Sequence, residues 1–261
     1  MRIVVNADDF GMSDDTVRGT IACFQNGGLS SASIMPTMPA TDGAIQFARA
    51  HRQFSFGVHL TFIADSTEHC VCDPSLIPDL VTDGGVFPPS DTVRKRALLG
   101  KLPVDQLVRE IEAQLGFIRD HGVEISHVDS HGHLHKFASF RAALKQALPR
   151  FGIDRVRNVQ DVYFKKPLKS PTFWLGPWWR RKLMRAFIST DHFYMPTSSF
   201  ENDWQQQLLK RFASAGDASL EVGVHPGYGE SWRSAERSAA VKFGADARAA
   251  GHRVIGWKEI R

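Results

Sequence analysis

Apolar and polar residues along the chain form short blocks that predict alternating strands and helices. Runs of β-branched and other apolar residues predict strands at 2–6, 31–35, 54–62, 125–130, 155–157, 220–224 and 253–257. Blocks with apolar residues spaced three or four apart predict helices at 16–24, 41–50, 104–121, 139–150, 204–215 and 234–250. Strands that alternate with helices through short connections are typical of a parallel sheet. The pattern therefore predicts an α/β fold whose sheet is open or barrel-like.

Two stretches interrupt this alternation. Residues 63–103 are rich in Pro and Gly, and residues 160–203 are rich in Trp, Lys and Arg. A long irregular stretch inside an α/β chain is typical of a functional loop, and single α/β barrels of about 250 residues are common. We therefore predict one domain over residues 1–261, with irregular insertions near 63–103 and 160–203.

Composition and charge indicate which class of protein this sequence belongs to. The 261 residues include 32 Lys and Arg against 28 Asp and Glu, and 43% are hydrophobic, which is ordinary for a globular protein. The net charge of +4 gives no support for a nucleic-acid partner, which usually meets a clustered basic footprint. The cysteines are odd in number, and Cys70 and Cys72 are separated by one residue, so we expect reduced thiols.

The beginning of the sequence predicts neither a signal peptide nor a membrane anchor. Only Ile3, Val4 and Val5 are clearly apolar before polar residues follow, which is too short for a signal-peptide core. No later stretch approaches the ~20 apolar residues of a membrane span. We therefore expect a cytoplasmic location and no stable membrane insertion.

Four patches of polar residues lie at or beside predicted strands, where α/β folds place their active sites. They read NADDFG at 6–11, GVHLT at 57–61, HVDSHGHLH at 127–135 and VGVHPGY at 222–228. In the first patch, Asp8 and Asp9 could have different roles, with one carboxylate binding a cation and the other accepting a proton. Because adjacent strand residues point to opposite faces, this requires the strand to end there. The alternative is a turn whose Asp residues cap the next helix.

The third patch places histidines and an aspartate at alternate positions, which are His127, Asp129, His131, His133 and His135. An extended chain would carry all five on one face but would spread them over about 26 Å, whereas zinc–nitrogen bonds are about 2 Å long. A single ion could therefore bind only one or two of them. Because Gly132 marks the end of the strand, His131 is the best ligand, with Asp129 below it as a packing or supporting residue.

Single histidines occur in the second and fourth patches. A His inside an apolar strand is usually a core residue, but His59 and His225 would join the same face of a parallel sheet. Asp and His ligands suit Zn²⁺, Mg²⁺, Mn²⁺, Co²⁺ or Ni²⁺ without choosing among them, and three protein ligands with an open position describe a catalytic site. The sequence lacks the motifs of serine hydrolases, zincins, P-loop proteins and dinucleotide-binding proteins.

Together the four patches resemble the YdjC-like carbohydrate deacetylases, the family that includes chitooligosaccharide and hopanoid-associated deacetylases. The matching stretches, with EVGVHPGY at 221–228 as the last, occur in the family's order along the chain. The resemblance implies a single-domain distorted (β/α) barrel like that of polysaccharide deacetylases. It also implies removal of an acetyl group from an N-acetylated amino sugar, with the two insertions on the substrate side.

The resemblance further implies one divalent metal ion, Mg²⁺ or Zn²⁺, held by Asp9, His59 and His131. Asp8 would be the general base on the attacking water, and His225 would be the general acid that protonates the departing sugar amine. The residues expected to contact the substrate or to support these side chains are Asp129, His133, His135, Phe10 and Trp178.

Trp178 belongs to an unusual aromatic and basic stretch, WLGPWWRRKLMR at 174–185. Its Trp residues could stack on sugar rings while its Lys and Arg residues meet a phosphate or an acidic sugar. It could also be an ordinary surface helix or an oligomer contact, as in a homodimer, or it could touch a membrane surface. The last interpretation would favour a lipid-linked sugar.

Other functions stay open at this point. The sugar could be lipid-linked or part of an antibiotic-type molecule, and the ion could also be Co²⁺, Ni²⁺ or Mn²⁺. A metal-dependent phosphoesterase would use the same residue types, with two ions about 4 Å apart. A non-catalytic metal- or sugar-binding protein would bind its ligand without turnover.

Overall fold

Parallel strands form the centre of the molecule, in a computed structural model that describes residues 1–65, 68–196 and 203–261. Residues 66–67 and 197–202, which belong to the two predicted insertions, lie outside the described residues. The strands are β1 (Arg2–Phe10), β2 (Ser31–Ile34), β3 (Ser55–Leu60), β4 (Ile125–Ser130), β5 (His192–Tyr194), β6 (Ser219–Val224) and β7 (Arg253–Val254). Their order in the sheet is β4-β3-β2-β1-β6-β5, and β7 pairs with the start of β1.

Helices connect these strands, mostly where the apolar spacing predicts them. They are α1 (Asp14–Gln25), α2 (Thr41–Ala50), α3 (Ser90–Leu98), α4 (Val104–Asp120), α5 (Ala138–Ala147), α6 (Pro171–Met184), α7 (Trp204–Arg211) and α8 (Ser231–Ala249). α3 and α6 lie in stretches that we expected to be irregular. α3 buries only Val93 and Ala97, so its sequence lacks the apolar periodicity that predicts a helix. α6 contains Pro177, and a proline inside a segment argues against a helix there. None of the described helices combines the length and the apolar character needed to cross a membrane.

The sheet curls so that its two ends approach each other. Val128 of β4, at one end, pairs with Val156, while the adjacent Arg155 pairs with Ile188, which precedes β5 at the other end. The N–H of Val128 donates to the carbonyl of Arg155, and the N–H of Val156 donates to the carbonyl of Ile188, both at 3.0 Å. The predicted α/β class and the distorted (β/α) barrel are therefore confirmed.

The register of the central strand places the candidate residues at one edge of the barrel. β1 pairs with β2 through residues 6–10 and with β6 through residues 2–7, always in parallel. Carboxyl ends of parallel strands gather at the same edge of a sheet. The ends of β1, β3, β4 and β6 therefore bring their polar patches together there.

An aromatic cluster in the core supports this edge. Phe10, at the end of β1, has no exposed surface and packs against Phe47 and Phe56, with ring centroids 6.1 and 6.4 Å away. Burying a large apolar side chain of this kind contributes about 1.5–3 kcal/mol. The position of Phe10 therefore fixes the end of β1 from within the core.

His127 occupies a second buried position, deeper in the barrel. It stacks on Trp257 with ring centroids 4.8 Å apart, and burial lowers its pKa to about 3. A Cβ atom on Gly57 of the neighbouring strand would lie 2.4 Å from Cε1 of His127, so only glycine leaves room for the ring. His127 is therefore a neutral packing residue of the core.

Candidate metal centre and catalytic cleft

A backbone irregularity brings Asp8 and Asp9 to the same edge. The backbone of Asp9 is left-handed, with φ at 57°, and the pairing of β1 with β2 shifts register between Ala7 and Phe10. A positive φ is uncommon outside glycine, but Asp tolerates it, and such bulges re-aim side chains beside active sites. The strand runs on to Phe10, so it does not end at the acidic pair as the sequence led us to expect.

Asp9, His59 and His131 form a compact set of candidate metal ligands. One ligand atom from each lies within 4.8 Å of the others. Oδ1 of Asp9 is 3.5 Å from Nε2 of His59 and 3.2 Å from Nδ1 of His131. This oxygen is buried and makes no hydrogen bond of normal geometry to any residue that the structure describes. A buried carboxylate oxygen that faces two imidazole nitrogens fits a divalent cation.

A carboxylate stands behind each of the two imidazoles. Oδ1 of Asp129 lies 2.7 Å from Nδ1 of His59, and Oδ2 of Asp65 lies 2.7 Å from Nε2 of His131. Burial alone would lower the pKa of His131, but its contacts with Asp65 and Asp9 raise that pKa to about 10. Carboxylates in this position orient metal-binding histidines and make them more basic.

The second oxygen of Asp9 is held by a residue from the far end of the chain. Nη2 of Arg233 in α8 donates to Oδ2 of Asp9 at 2.9 Å. Burial would raise the pKa of Asp9, but the contact with His131 and the positive fields of His225, His131 and His59 lower it well below its usual range. Asp9 is therefore ionised, with one oxygen fixed by Arg233 and the other facing the imidazoles.

Asp8 has a different environment, which is dominated by Arg157. The guanidinium of Arg157 is fully buried and donates to both oxygens of Asp8, at 2.5 and 2.6 Å. It also lies 2.7 Å from Asp129 and 2.8 Å from Glu221, and Asn6 donates to Asp8 at 2.9 Å. Charge-assisted, bidentate contacts of this kind are strong and directional, so Asp8 is held as an oriented carboxylate.

A second group of possible ligands shares one residue with the first. Oxygen and nitrogen atoms of Asp8, His59 and Asp129 also lie within 4.8 Å of one another. Arg157 already contacts both Asp8 and Asp129, so a positive charge is present at this point. The donor set around Asp9 therefore fits a divalent ion, whereas the set around Asp8 does not.

His225 approaches the cleft from the end of β6. Oε2 of Glu236 accepts a hydrogen bond from the backbone N–H of His225 at 2.7 Å and lies 3.1 Å from its Nδ1. Burial would lower the pKa of His225, but Glu236, Asp9 and Asp8 raise it to about 9. The imidazole is therefore protonated at neutral pH and can donate a proton.

The remaining histidines of the third patch follow a sharp turn. β4 ends at Ser130, and Gly132 and His133 have left-handed backbones, with φ at 64° and 56°. The alternating residues consequently do not share one extended face. His133 lines the cleft, whereas Nδ1 of His135 lies 2.8 Å from Oγ of Ser130 and its Nε2 meets no partner within the described chain.

The candidate residues meet in a cleft of about 240 Å³, lined among others by Asp8, His59, His131, His133 and His225. His133 also lines an adjoining cleft of about 180 Å³. That second cleft shares Gln160 and Tyr163 with a third cleft of about 430 Å³ beside α6. The three clefts form a series that leads away from the candidate metal ligands.

Five residues that we expected at the site do not line this first cleft. Asp9 and Asp129 are buried against His59, and His135 lines the adjoining cleft. The other two, Phe10 and Trp178, lie away from it. Phe10 is a core residue, as described above. Trp178 lies on the outer side of α6, with 46% of its surface exposed, and Arg141 and Lys182 lie 5.4 and 5.7 Å from the centre of its ring.

Sequence reasoning missed several charged residues of the site, among them Arg157, Asp65, Arg233 and Glu236. Arg157 ends the predicted strand 155–157, which forms only isolated bridges in the structure, and Asp65 lies in a loop. Neither belongs to one of the four polar patches. Arg233 and Glu236 lie three residues apart on the inner face of α8 and are less than a tenth exposed. Charged residues at apolar positions of an amphipathic helix are a usable signal, since such residues are almost never buried unless paired.

A family model described as YdjC-like protein matches residues 2–254 of the chain. The chain belongs to the YdjC-like family. Two relatives are both called carbohydrate deacetylase. The one from Thermoanaerobacter pseudethanolicus is 28% identical over 87% of this chain and 81% of its own length. The one from Geobacillus stearothermophilus is 32% identical over 65% of this chain and 63% of its own length.

A solved structure agrees with the family's fold. It belongs to a protein of Enterococcus faecalis whose proposed activity is cellobiose-phosphate cleavage. Its TM-score against this chain is 0.77, with 18% sequence identity, and the match covers 98% of this chain and 97% of that chain. At this level of identity the similarity demonstrates a shared fold and says nothing about a shared substrate.

Proposed function

We propose that this YdjC-like protein is a metal-dependent hydrolase that removes an acetyl group from an N-acetylated amino sugar. The observation that carries the proposal is the grouping of Asp9 with His59 and His131, two residues that line the same cleft as Asp8 and His225. This set contains a candidate ion site, a candidate base and a candidate acid. The names of the two carbohydrate deacetylase relatives support the choice of reaction.

Asp8 is proposed as the general base. Asp9, His59 and His131 would hold a divalent ion, which would supply a Lewis acid able to polarise the acetyl carbonyl and to lower the pKa of water. Asp8 accepts a proton from the attacking water, and the two hydrogen bonds from Arg157 fix the orientation of its carboxylate. Arg157 thus acts through Asp8 as a positioning residue.

His225 is proposed as the general acid. An amide has a poor leaving group, so the departing nitrogen needs a proton. Glu236 and the two acidic residues of β1 raise the pKa of His225 to about 9, which keeps the imidazole charged until it donates. After the transfer, the free amine of the sugar leaves the cleft.

The geometry favours one ion per chain over the two ions of many phosphoesterases. A second ion would need the donors around Asp8, where the Arg157 guanidinium contacts Asp8 and Asp129. Two-ion sites hold their metals about 3.5–4 Å apart. An ion at that distance from the first would meet the buried positive charge of Arg157.

The series of clefts supports a substrate larger than one sugar. The acetylated ring would occupy the first cleft, and its attached group would extend past His133 toward Gln160 and Tyr163. This arrangement admits an oligosaccharide, and also a lipid-linked or antibiotic-type amino sugar. Either Zn²⁺ or Mg²⁺ suits the donor set, as do Co²⁺, Ni²⁺ and Mn²⁺.

Acetate release tests the proposal. The protein is stripped with a chelator, reloaded separately with Zn²⁺, Mg²⁺, Co²⁺ or Ni²⁺, and incubated with N,N′-diacetylchitobiose. Asp8→Asn should keep the bound metal and lose about 10²–10⁴-fold in turnover. Asp42→Asn, at an exposed position in α2, is the matched control and should behave like the wild type.

Three outcomes would contradict the proposal. Tight sugar binding without acetate from any N-acetylated sugar, glycolipid or nucleotide sugar would indicate a binding protein. Turnover of phosphate esters with two ions per chain would indicate a phosphoesterase. Unchanged turnover in Asp8→Asn would remove Asp8 from the mechanism.

A further inference from the structure

The segment around α6 accounts for the net positive charge of the chain. Residues 162–190 contain seven Lys and Arg and no Asp or Glu. Since the whole chain has 32 basic and 28 acidic residues, the rest of it has 25 basic residues against 28 acidic ones. The net positive charge therefore comes from this one segment.

Most of these basic side chains face solvent. Six are exposed, of which three lie before α6, two in its second half and one directly after it, namely Lys165, Lys166, Lys169, Arg181, Lys182 and Arg185. Within the described parts of the chain none of the six forms a salt bridge, whereas Arg180 pairs with Asp161 at 3.3 Å. The outer charges are therefore available to an external partner.

Aromatic and aliphatic side chains share this outer surface. Trp174 and Trp178 are one helical turn apart and are 65% and 46% exposed, and Leu168 and Leu175 are 58% and 41% exposed. Residues four apart lie on the same face of a helix, so the stripe through Trp174 and Trp178 continues to Lys182. Large apolar residues and cations thus lie side by side.

The inner face of α6 packs on the barrel through Trp179 and Leu183. Trp179 and Leu183 are 3% and 0% exposed, and the ring of Trp179 packs edge-on against Phe137 at 5.3 Å. The outer stripe has only local contacts, since Trp174 donates to the carbonyl of Leu168 and Arg141 lies over the ring of Trp178. Both Trp rings nevertheless keep a large exposed surface.

We propose that the outer face of α6, together with the lysines before it, binds the surface of an anionic phospholipid bilayer without crossing it. Tryptophan favours the boundary between headgroups and acyl chains. Basic side chains at the same helix face are attracted to the phosphate layer just outside that boundary. Lys182 lies 5.7 Å from the Trp178 ring centre, so charge and ring would meet these two layers together.

Charge and apolarity together select this occupant. A nucleic acid would use the six exposed cations but would leave Leu168 and Leu175 facing water. A neutral apolar partner would leave the cations without counter-charges. An anionic bilayer offers phosphate groups to the cations and an adjacent apolar layer to the Trp and Leu side chains.

Vesicle sedimentation with the full chain tests the proposal. The probes are vesicles of phosphatidylcholine alone, and of phosphatidylcholine with about 30% phosphatidylglycerol, a content that gives a negative surface potential. We expect binding to the anionic vesicles at about 0.1 M salt, and at least fivefold less binding at about 0.5 M salt, where charges are screened. Neutral vesicles should bind at least fivefold less as well.

Variants distinguish binding through this face from attraction by the net charge of the whole chain. Arg181→Glu/Lys182→Glu should weaken binding to anionic vesicles about tenfold or more, and Trp174→Ser/Trp178→Ser should weaken it too. Lys101→Glu/Lys145→Glu makes the same change in net charge at exposed positions outside the segment and should leave binding unchanged. Circular dichroism verifies that each variant is folded.

Several results would overturn the proposal. These are equal binding to neutral and anionic vesicles, no binding to either, or equal losses in the two charge variants. A dimer in light scattering that Trp174→Ser/Trp178→Ser abolishes would show that this face joins two copies of the chain. Acetate release by Arg181→Glu/Lys182→Glu from the soluble disaccharide is measured separately, so the deacetylase proposal stands or falls independently.

Discussion

Arg157 holds both carboxylate oxygens of Asp8, at 2.5 and 2.6 Å, from a position that is wholly buried. The same guanidinium lies 2.7 Å from Asp129 and 2.8 Å from Glu221. One cation therefore serves three carboxylates, two of which stand beside the candidate ligand His59. The arrangement links the orientation of the proposed base to the stability of the barrel.

Arg157→Lys should separate orientation from charge. Lysine keeps the positive charge but loses the planar, bidentate contact, so we expect turnover to fall about 10–100-fold with metal content near that of the wild type. Arg157→Met should instead lower the free energy of unfolding by about 3–5 kcal/mol, because it leaves buried carboxylates without a counter-charge. Acetate release and urea unfolding measure the two effects. Arg150→Lys, at an exposed position, is the control.

Metal affinity should depend on Asp65 as well as on the ligands. Asp65→Asn removes the carboxylate behind Nε2 of His131, and we expect metal binding to weaken about 10–100-fold. His131→Ala should lose both the metal and the activity. Asp83→Asn, in the same loop region, should leave the affinity unchanged. Titration calorimetry measures each constant, and full metal binding by His131→Ala would remove His131 from the ligand set.

The basic limb of the pH profile should depend on Glu236. Because Glu236 raises the pKa of His225, Glu236→Gln should lower that pKa. A general acid must be protonated, so activity is lost as pH rises through its pKa, and the loss should begin at lower pH in the variant. The profile of kcat/KM from about pH 6 to about pH 10 measures the pKa of the basic limb in the wild type and in the variant. An unchanged basic limb would mean that another group donates the proton.

Glu221 should make the protein less stable at high pH. Burial raises its pKa from 4.5 to about 7, although Arg157 acts in the opposite direction. The folded protein therefore keeps a proton that the unfolded chain releases, so stability falls as pH rises between these two values. Glu221→Gln should remove this decline and should be more stable than the wild type at pH 8 by roughly 1–3 kcal/mol. Urea unfolding at about pH 5 and pH 8 measures the difference.

Glycine at position 57 should be required by packing. Gly57→Ala would place its methyl group 2.4 Å from His127, so we expect a loss of about 1–3 kcal/mol in the free energy of unfolding. Gly116→Ala, in α4, meets no atom within 4 Å and should stabilise the helix by about 0.5–1 kcal/mol. Thermal unfolding distinguishes the two. Opposite signs are expected, and a neutral Gly57→Ala would show that His127 moves without cost.

Strands and helices with clear apolar periodicity could be predicted from the sequence, because burial dictates their pattern. The bounds of α2 and β4 were predicted as the structure has them. α3 could not be found in this way, since it buries only two of its residues. The polar patches at strand ends pointed to the site because parallel strands share one edge.

Contacts between distant parts of the chain could not be predicted. Nothing near Arg157 in the sequence shows that it meets Asp8, which lies 149 residues away. The left-handed backbone of Asp9 follows from strand pairing, and no local motif demands it. Trp178 was expected beside the substrate because aromatic rings stack on sugars, but the inner face of α6 is taken by Trp179.

The pairing of β1 has a consequence for how the protein is made. β1 leaves the ribosome before its partner β6, which begins only at Ser219, and Arg233 follows later still. A nascent chain that ends before Ser219 carries Asp9, His59 and His131 but leaves one edge of its central strand unpaired. Such an edge is a template for association with other chains, so synthesis of β6 both closes this edge and ends the period in which it could pair with another chain.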